Sequence, residues 1–231
     1  MNIDANIKSV QEKIRIAAEN AGRDPREIKL LAVTKTKPIE MLKEAQLYGL
    51  CDFGENRPQE IVKKHPEFDD SIKWHLIGQL QKNKVRHVID KVCLIHSVDS
   101  FDLALEINKR AAAIGKVQDI LLQVNISGEE SKAGIHPCMV TELCRQISEL
   151  DNVRIKGLMT ISVMGYNFEE NYKIFSELKR ISKDIEEMSI KNVSMGELSM
   201  GMTHDMDAAI AAGATIVRVG TAIFGARVVA E

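Results

Sequence analysis

Short apolar segments rich in β-branched residues recur eight times along the 231-residue chain, and this recurrence constrains the fold most strongly. Segments with the helical period separate them, most clearly at 168–188, where one face carries Phe168, Phe175, Leu178, Ile181, Ile185 and Met188. A further amphipathic helix is predicted at 3–21. We predict strands near 29–35, 51–55, 73–78, 92–98, 119–126, 154–162, 196–200 and 215–220.

The alternation of strands and helices predicts the α/β class. Strands that alternate with helices form right-handed βαβ units and a parallel sheet that is buried on both faces. Eight such units within about 200 residues favour a single (β/α)8 TIM-type barrel domain over residues 1–231, with the N-terminal helix as an extra element. The alternative is an open doubly wound sheet with fewer strands, because the segments 51–55 and 196–200 are weak enough to be loops.

Composition excludes several classes of protein. The chain has 31 Lys and Arg residues against 33 Asp and Glu residues, so no overall field favours nucleic acid or an anionic membrane. No stretch approaches the roughly 18 apolar residues of a membrane span, and the N-terminus lacks the apolar core of a signal peptide. Three of the four cysteines lie in apolar runs, which favours reduced, packed thiols. We therefore expect a cytoplasmic protein, and the absence of HExxH or clustered-carboxylate spacing disfavours a metal site.

The last two predicted strands carry the best candidates for an anion site. In such a barrel, binding groups gather at the C-terminal ends of the strands, and a phosphate site commonly follows the seventh and eighth. The stretches ELSMGM (197–202) and VRVGTAIFG (217–225) place a small hydroxyl residue beside glycine, whose backbone lets a phosphate approach. The alternative is that Gly201 and Gly220 only permit tight turns. Arg218 in a core strand needs an acidic side chain or a cofactor ring nitrogen as its partner.

The stretch LLAVTKTKP places a candidate reactive amine, Lys35, at the exit of the first strand. Lys35 shares strand parity with Leu31 and Val33, so its side chain is predicted to project on their apolar face. Desolvation lowers a lysine pKa from about 10.4 and supplies the neutral amine that a Schiff base requires. The alternative is a solvated or ion-paired lysine at the rim. We interpret Lys37 as a surface charge, and His75 equally as a core histidine or a ligand-binding group.

Several stretches together resemble the pyridoxal-phosphate homeostasis protein family nearly end to end. They are LLAVTKTKP (31–39), FGENRPQE (53–60), KWHLIGQLQKNK (73–84), QVNISGEESKAG (123–134), GLMTIS (157–162) and the long block from ELSMGM to FGAR (197–227). The resemblance implies a fold-type III pyridoxal-phosphate barrel similar to the N-terminal domain of alanine racemase. It implies pyridoxal 5′-phosphate as the cofactor, and a role in carrying or buffering it that affects amino-acid and keto-acid pools.

The same resemblance implies a set of cofactor-binding residues. Lys35 would hold the cofactor as an internal aldimine, and Arg218 would face the pyridine nitrogen. The remaining implied positions are Ser199, Gly220 and Thr221 at the phosphate, the backbone of Met200 and Gly201 beside it, and Asn56 and His75 at the ring.

The implied site argues against efficient catalysis. A pyridine nitrogen that accepts a hydrogen bond from arginine stays unprotonated and is a poorer electron sink than one paired with a carboxylate. Racemisation needs an acid or base on each face of the α-carbon, and we expect no second domain to supply the other group. We therefore expect a monomeric cofactor carrier with apo-enzymes as its partners. The alternatives are a low-efficiency pyridoxal-phosphate-dependent amino-acid racemase and, less favoured, a cofactor-free Schiff-base aldolase.

Overall fold

A computed structural model describes residues 2–129 and 132–226, and eight parallel strands form a closed barrel in sequence order. The prediction of a (β/α)8 barrel is confirmed, and the open doubly wound alternative is wrong. Both weak segments, 51–55 and 196–200, overlap barrel strands, and the second of these strands begins three residues earlier than predicted, at Val193. The strands are β1 (Lys29–Val33), β2 (Asp52–Glu55), β3 (Lys73–Leu76), β4 (Val92–Val98), β5 (Gln118–Gln123), β6 (Val153–Met159), β7 (Val193–Ser199) and β8 (Ile216–Val219).

Helices connect most of the strands and cover the outside of the barrel. They are α1 (Ile3–Asn20), α2 (Ile39–Leu47), α3 (Pro58–Lys64), α4 (Phe101–Ala112), α5 (Val140–Ser148), α6 (Phe168–Glu187), α7 (Met206–Ala211) and α8 (Thr221–Phe224). The connection from β3 to β4 is a 3₁₀ segment, Lys82–His87.

The two helices that the sequence predicts most strongly end within one residue of their expected bounds. Helix α1 begins after Asn2, whose side-chain oxygen accepts a hydrogen bond of 2.9 Å from the Ala5 N–H. Helix α6 begins with a capping box in which Asn167 and Glu170 each accept from the other's backbone N–H. These caps satisfy N–H groups that a helix leaves without partners, and so fix where each helix starts.

Apolar side chains fill two regions. One lies between the sheet and the helices. The other lies inside the barrel and contains the buried side chains of Leu31, Leu94, Leu121, Met159 and Ile216. Polar groups share the barrel interior with this second cluster, since His75, His96, Ser199 and Arg218 are also buried. A core of this type must satisfy its polar groups internally, because water does not reach them.

The prediction of packed cysteines is only partly correct. All four thiols are free, but Cys144 alone is buried, while Cys93 and Cys138 are exposed. Cys93 lies in β4 where the register with β3 shifts by one residue, between Val92 and Leu94. Within the described ranges, no helix is long and apolar enough to cross a membrane.

Candidate active site at the C-terminal ends of the strands

Strands β1 and β8 bring three of the predicted site residues to one part of the rim. Leu31 lies beside Arg218 in the β1–β8 ladder, and Ala32 lies beside Val219. Gly220 then packs against β1, where a Cβ added to it would lie 3.1 Å from the Val33 carbonyl oxygen. Lys35 and Thr221 therefore follow the ends of two neighbouring strands, and Arg218 lies within the second of them.

Lys35 lies in a turn and not in a strand. Strand β1 ends at Val33, and the Lys37 N–H donates to the Thr34 carbonyl over 3.1 Å. Thr36 has a positive φ of 62°, which few non-glycine residues adopt. Strand parity therefore does not set the direction of the half-buried Lys35 side chain, and the predicted strand 29–35 is two residues too long.

A buried ion pair holds the start of this turn. The Lys64 ammonium donates to Glu55 Oε1 over 2.7 Å and to the Thr34 carbonyl over 2.9 Å. The Thr34 hydroxyl donates to the same carboxyl oxygen over 2.6 Å. The side chains of Glu55 and Lys64 are 0% and 5% exposed. Burial raises the pKa of Glu55 to about 7, although the charge and hydrogen bonds of Lys64 oppose this rise.

Glu60 holds the second half of the turn. Its Oε2 accepts hydrogen bonds from the Thr36 backbone N–H over 2.7 Å and from the Lys64 ammonium over 2.9 Å. Burial would raise the pKa of the Glu60 carboxyl, but the hydrogen bonds from Lys64 and Thr36 outweigh burial and lower it. Helix α3 thus supplies two side chains that fix the conformation around Lys35.

Lys37 is not a surface charge, and this interpretation is corrected by the structure. Its ammonium donates to the carbonyl oxygens of Phe224, Gly225 and Ala226 over 2.9, 2.9 and 3.0 Å. These carbonyls lie at the C-terminal end of α8, where unpaired C=O groups favour a cation. Lys37 therefore ties the turn after β1 to the helix after β8.

Arg218 lies inside the barrel with two uncharged partners. Its Nη1 donates to Ser199 Oγ over 2.7 Å, and its Nη2 donates to the Thr160 carbonyl over 2.9 Å. Burial lowers the pKa of Arg218 to about 10, and the more distant charge of Asp205 opposes this shift. A cation in this position favours an anion or a hydrogen-bond acceptor as a further partner.

His75 lies below the rim, in the middle of a polar column. Its Nε2 is 3.0 Å from Asp52 Oδ1, and its Nδ1 is 3.0 Å from His96 Nε2. His96 Nδ1 is 2.9 Å from Ser199 Oγ, which Arg218 also contacts. We call Asp52, His75, His96, Ser199 and Arg218 the interior column. Since protein groups contact both ring nitrogens of His75, its role at a ligand ring stays a prediction.

Asn56 follows β2 and lines a cavity of about 300 Å³ at the C-terminal ends of the strands. Ile77, Gln123 and Lys132 line the same cavity. The chain is tightly packed here, because a Cβ added to Gly78 would lie 2.3 Å from the Asn56 carbonyl oxygen. Asn56 is therefore close to an open space, as its predicted role requires.

The packing of the turn after β7 requires glycine at position 201. Gly201 has a φ of 89°, and a Cβ there would lie 2.5 Å from the Ala209 Cβ in α7. The Met200 N–H donates to the Ile216 carbonyl over 3.1 Å, and the Gly201 carbonyl accepts from the Arg218 N–H over 3.0 Å. Both backbone groups thus serve the barrel, and their position at a phosphate stays a prediction. Thr221 is exposed and begins α8, whose first N–H groups lack partners within the helix.

Sequence reasoning missed the groups that support the site. Asp52, Glu55, Lys64 and His96 received no role, although they hold the Lys35 turn or join the interior column. A histidine within the apolar segment VCLIHSV was a usable signal, because a buried imidazole needs partners. Lys64 gave no comparable signal, since the helix surface around it is rich in lysine.

Comparison with known proteins identifies relatives that match nearly the whole chain. The model of the alanine racemase N-terminal domain matches residues 5–228. A pyridoxal phosphate homeostasis protein from Aquifex aeolicus is 44% identical over 228 residues, which cover 98% of this chain and 99% of that protein. PipY from Synechococcus elongatus, solved with PLP bound, is 34% identical with a TM-score of 0.85, over 97% of this chain and all of that one.

A more distant structure shows the fold alone. Alanine racemase from Clostridium difficile is 16% identical with a TM-score of 0.73, and the match covers 94% of this chain but 57% of the racemase. The resemblance seen in the sequence is confirmed by the full-length matches. The chain belongs to the pyridoxal phosphate homeostasis protein family, within the proteins that share the N-terminal domain of alanine racemase.

Proposed function

We propose that this protein binds pyridoxal 5′-phosphate and serves its homeostasis as a carrier or buffer of the cofactor, with effects on amino-acid and keto-acid pools. The observation that carries the proposal is the pairing of β1 with β8, which places Lys35 and Thr221 after neighbouring strands and Arg218 within β8. The relatives that are named pyridoxal phosphate homeostasis proteins align over nearly the whole chain. These residues fit the cofactor by their chemistry, since they offer an amine, a buried cation and an exposed hydroxyl at the start of α8.

The proposal gives each predicted residue a role toward the cofactor. Lys35 binds it covalently through its amine, on a turn that Glu55, Lys64 and Glu60 hold in place. Arg218 donates a hydrogen bond to the ring nitrogen. The phosphate is held by Ser199, Gly220 and Thr221 beside the backbone of Met200 and Gly201, and the ring by Asn56 and His75.

The environment of Arg218 limits the chemistry that we propose. When bound, the cofactor supplies an electron sink for carbanion chemistry, and this sink is strongest when the ring nitrogen is protonated. Arg218 donates to that nitrogen and does not release a proton at neutral pH. We therefore propose that the protein has no robust catalytic activity. We further propose that it is a single-domain, monomeric, cytoplasmic protein that passes cofactor to apo-enzymes.

The covalent role of Lys35 is tested by absorbance and labelling. We expect the protein incubated with pyridoxal 5′-phosphate to show a visible band, and borohydride reduction to fix the cofactor on Lys35. Lys35→Ala should lose the band and the label. Lys43→Ala is the matched control, because Lys43 is an exposed lysine of α2 whose only described ion pair is with Glu67. A band that survives in folded Lys35→Ala would assign the covalent link to another lysine.

The proposed lack of robust catalysis is tested by exchange of the α-proton of alanine in deuterated water. We expect the holo protein to exchange this proton no faster than an equal concentration of free cofactor with a simple amine. The physical reason is the unprotonated ring nitrogen beside Arg218. Exchange that is much faster and is lost in Lys35→Ala would instead favour an amino-acid racemase.

A further inference from the structure

The interior column crosses the barrel from one end to the other. Asp52 is the first residue of β2, at the N-terminal end of the barrel, and its side chain is 19% exposed. Ser199 is the last residue of β7, at the C-terminal rim, and is fully buried. His75 and His96 join them through consecutive contacts of 3.0, 3.0 and 2.9 Å. A polar chain of this kind links solvent at one end to the proposed cofactor site at the other.

Each contact of the column needs one hydrogen, and this requirement leaves two arrangements. An ionised Asp52 accepts a hydrogen bond from His75 Nε2. The protonation of His75 Nδ1 then sets the direction of the hydrogen bonds to His96 and Ser199. When His75 is neutral, its Nδ1 accepts from His96 Nε2. His96 Nδ1 is then an acceptor as well, and the Ser199 hydroxyl must donate to it.

The arrangement reverses when His75 is protonated. His75 Nδ1 then donates to His96 Nε2, and the single hydrogen of His96 lies on Nδ1 and donates to Ser199 Oγ. Ser199 Oγ also accepts from Arg218 Nη1 over 2.7 Å. Because both lone pairs of the Ser199 oxygen are occupied, its own hydrogen is free to donate to a further acceptor.

We propose that the interior column is a proton-linked switch that controls whether Ser199 donates a hydrogen bond to the phosphate of the bound cofactor. The proposal rests on the proposed function, which places the phosphate near Ser199. The reversal takes up one proton in total. The Ser199 hydrogen moves to His96 Nδ1, the His96 Nε2 hydrogen moves to His75 Nδ1, and one proton from the solvent side of the site replaces the hydrogen on Ser199.

The groups around His75 favour it as the residue that takes the extra proton. Burial would lower the pKa of His75, but Asp52 and Cys93 outweigh burial and raise it. Burial, and then the charges of His75, Arg218 and Lys29, hold the pKa of His96 well below its ordinary value.

The opposite end of the column has a stable acceptor. Burial would raise the pKa of Asp52, but its hydrogen bond to His75 and the charges of His75, Lys29 and Lys73 outweigh burial and lower it. Asp52 therefore remains an acceptor at neutral pH, while His75 titrates beside it. Low pH is expected to free the Ser199 hydrogen, and high pH to return it to His96.

The test compares the affinity of two ligands for the whole protein as pH changes. Pyridoxal 5′-phosphate carries the phosphate, and pyridoxal lacks it, so the ratio of their affinities isolates the phosphate contribution. In the wild type we expect this ratio to fall about tenfold as pH rises through the pKa of His75, the scale of one hydrogen bond to a charged group. Asp52→Asn removes the charge that favours protonated His75, so its ratio should stay low and flat.

The control and the comparison at equal pH separate the switch from other effects. The cofactor's own phosphate titrates near pH 6, but it does so equally for wild type and variant at the same pH. Asp119→Asn is the matched control, since Asp119 is a carboxylate near the start of β5 that makes none of the column's hydrogen bonds. Asp119→Asn should keep the wild-type profile. If Asp52→Asn also keeps that profile, the switch is overturned.

Nitrogen NMR of the unmutated protein tests the switch without a variant. Between about pH 6 and 9 we expect the hydrogen of His96 to move from Nδ1 to Nε2 as pH rises. An unchanged His96 tautomer would overturn the proposal. Failure of the proposed function looks different, because the wild type would then bind neither ligand at Lys35.

Discussion

At the scale of single residues, Glu55 shows how the site depends on a group that never touches a ligand. Its carboxyl is fully buried, and its Oε1 accepts from both Lys64 and Thr34, while no partner within the described residues contacts Oε2. A buried ion pair of this kind is weak evidence for stability, because desolvation offsets the attraction between the charges. The ion pair between Glu55 and Lys64 instead fixes the conformation of the turn that carries Lys35.

The raised pKa of Glu55 predicts a pH-dependent stability. Because its pKa is near 4.5 in the unfolded chain and about 7 in the folded one, the folded state binds more protons between these values. The contribution of this group is fully present below pH 4.5 and is lost as pH rises to about 7. Between these pH values, this group should lower the unfolding free energy of the wild type by about 3 kcal/mol. We expect Glu55→Gln, which cannot ionise here, to lack this decrease when both proteins are measured by urea denaturation.

Glu40→Gln in α2 is a matched control for this measurement, because Glu40 is exposed. It should leave the pH profile of the wild type unchanged. A Glu55→Gln protein with the same pH profile as the wild type would show that Glu55 stays ionised in the folded state.

At the scale of elements, the shortest helix depends on a side chain from the other end of the chain. Helix α8 has four residues, too few to be stable in isolation. Lys37 donates to three carbonyls at its C-terminal end. Asn6 in α1 also donates to the Ile223 carbonyl over 2.9 Å. Helix α8 is therefore held by the turn after β1 and by the N-terminal helix.

We expect Lys37→Ala to lower the free energy of unfolding by about 1 to 2 kcal/mol, because three carbonyls lose a charged donor. Urea denaturation measures this change, and Lys43→Ala should alter stability by less than about 0.5 kcal/mol. The label from borohydride should remain on Lys35 in Lys37→Ala. If the two variants were equally stable, Lys37 would contribute no more to stability than a surface charge, as the sequence suggested.

At the scale of the whole molecule, the barrel was predictable because each strand carries its own local signal. Each of the eight predicted segments overlaps a strand, and the repeated βα unit limits how the strands can be arranged. The interior column was not predictable, since His96 and Ser199 are 103 positions apart and their contact depends on the stagger of the barrel. The position of Lys35 at the exit of β1 was predictable because it follows from the local strand signal. The role of Lys37 was not predictable, since its partners Phe224, Gly225 and Ala226 lie far away in the sequence.

The pairing of β1 with β8 has a consequence during protein synthesis. Lys35 leaves the ribosome before Arg218 and Thr221, which lie more than 180 residues later in the chain. A nascent chain can offer its amine to the cofactor, but it cannot yet supply the groups that we assign to the ring nitrogen and the phosphate. Full affinity should therefore appear only after translation of β8, so that truncated or unfinished chains do not sequester the cofactor.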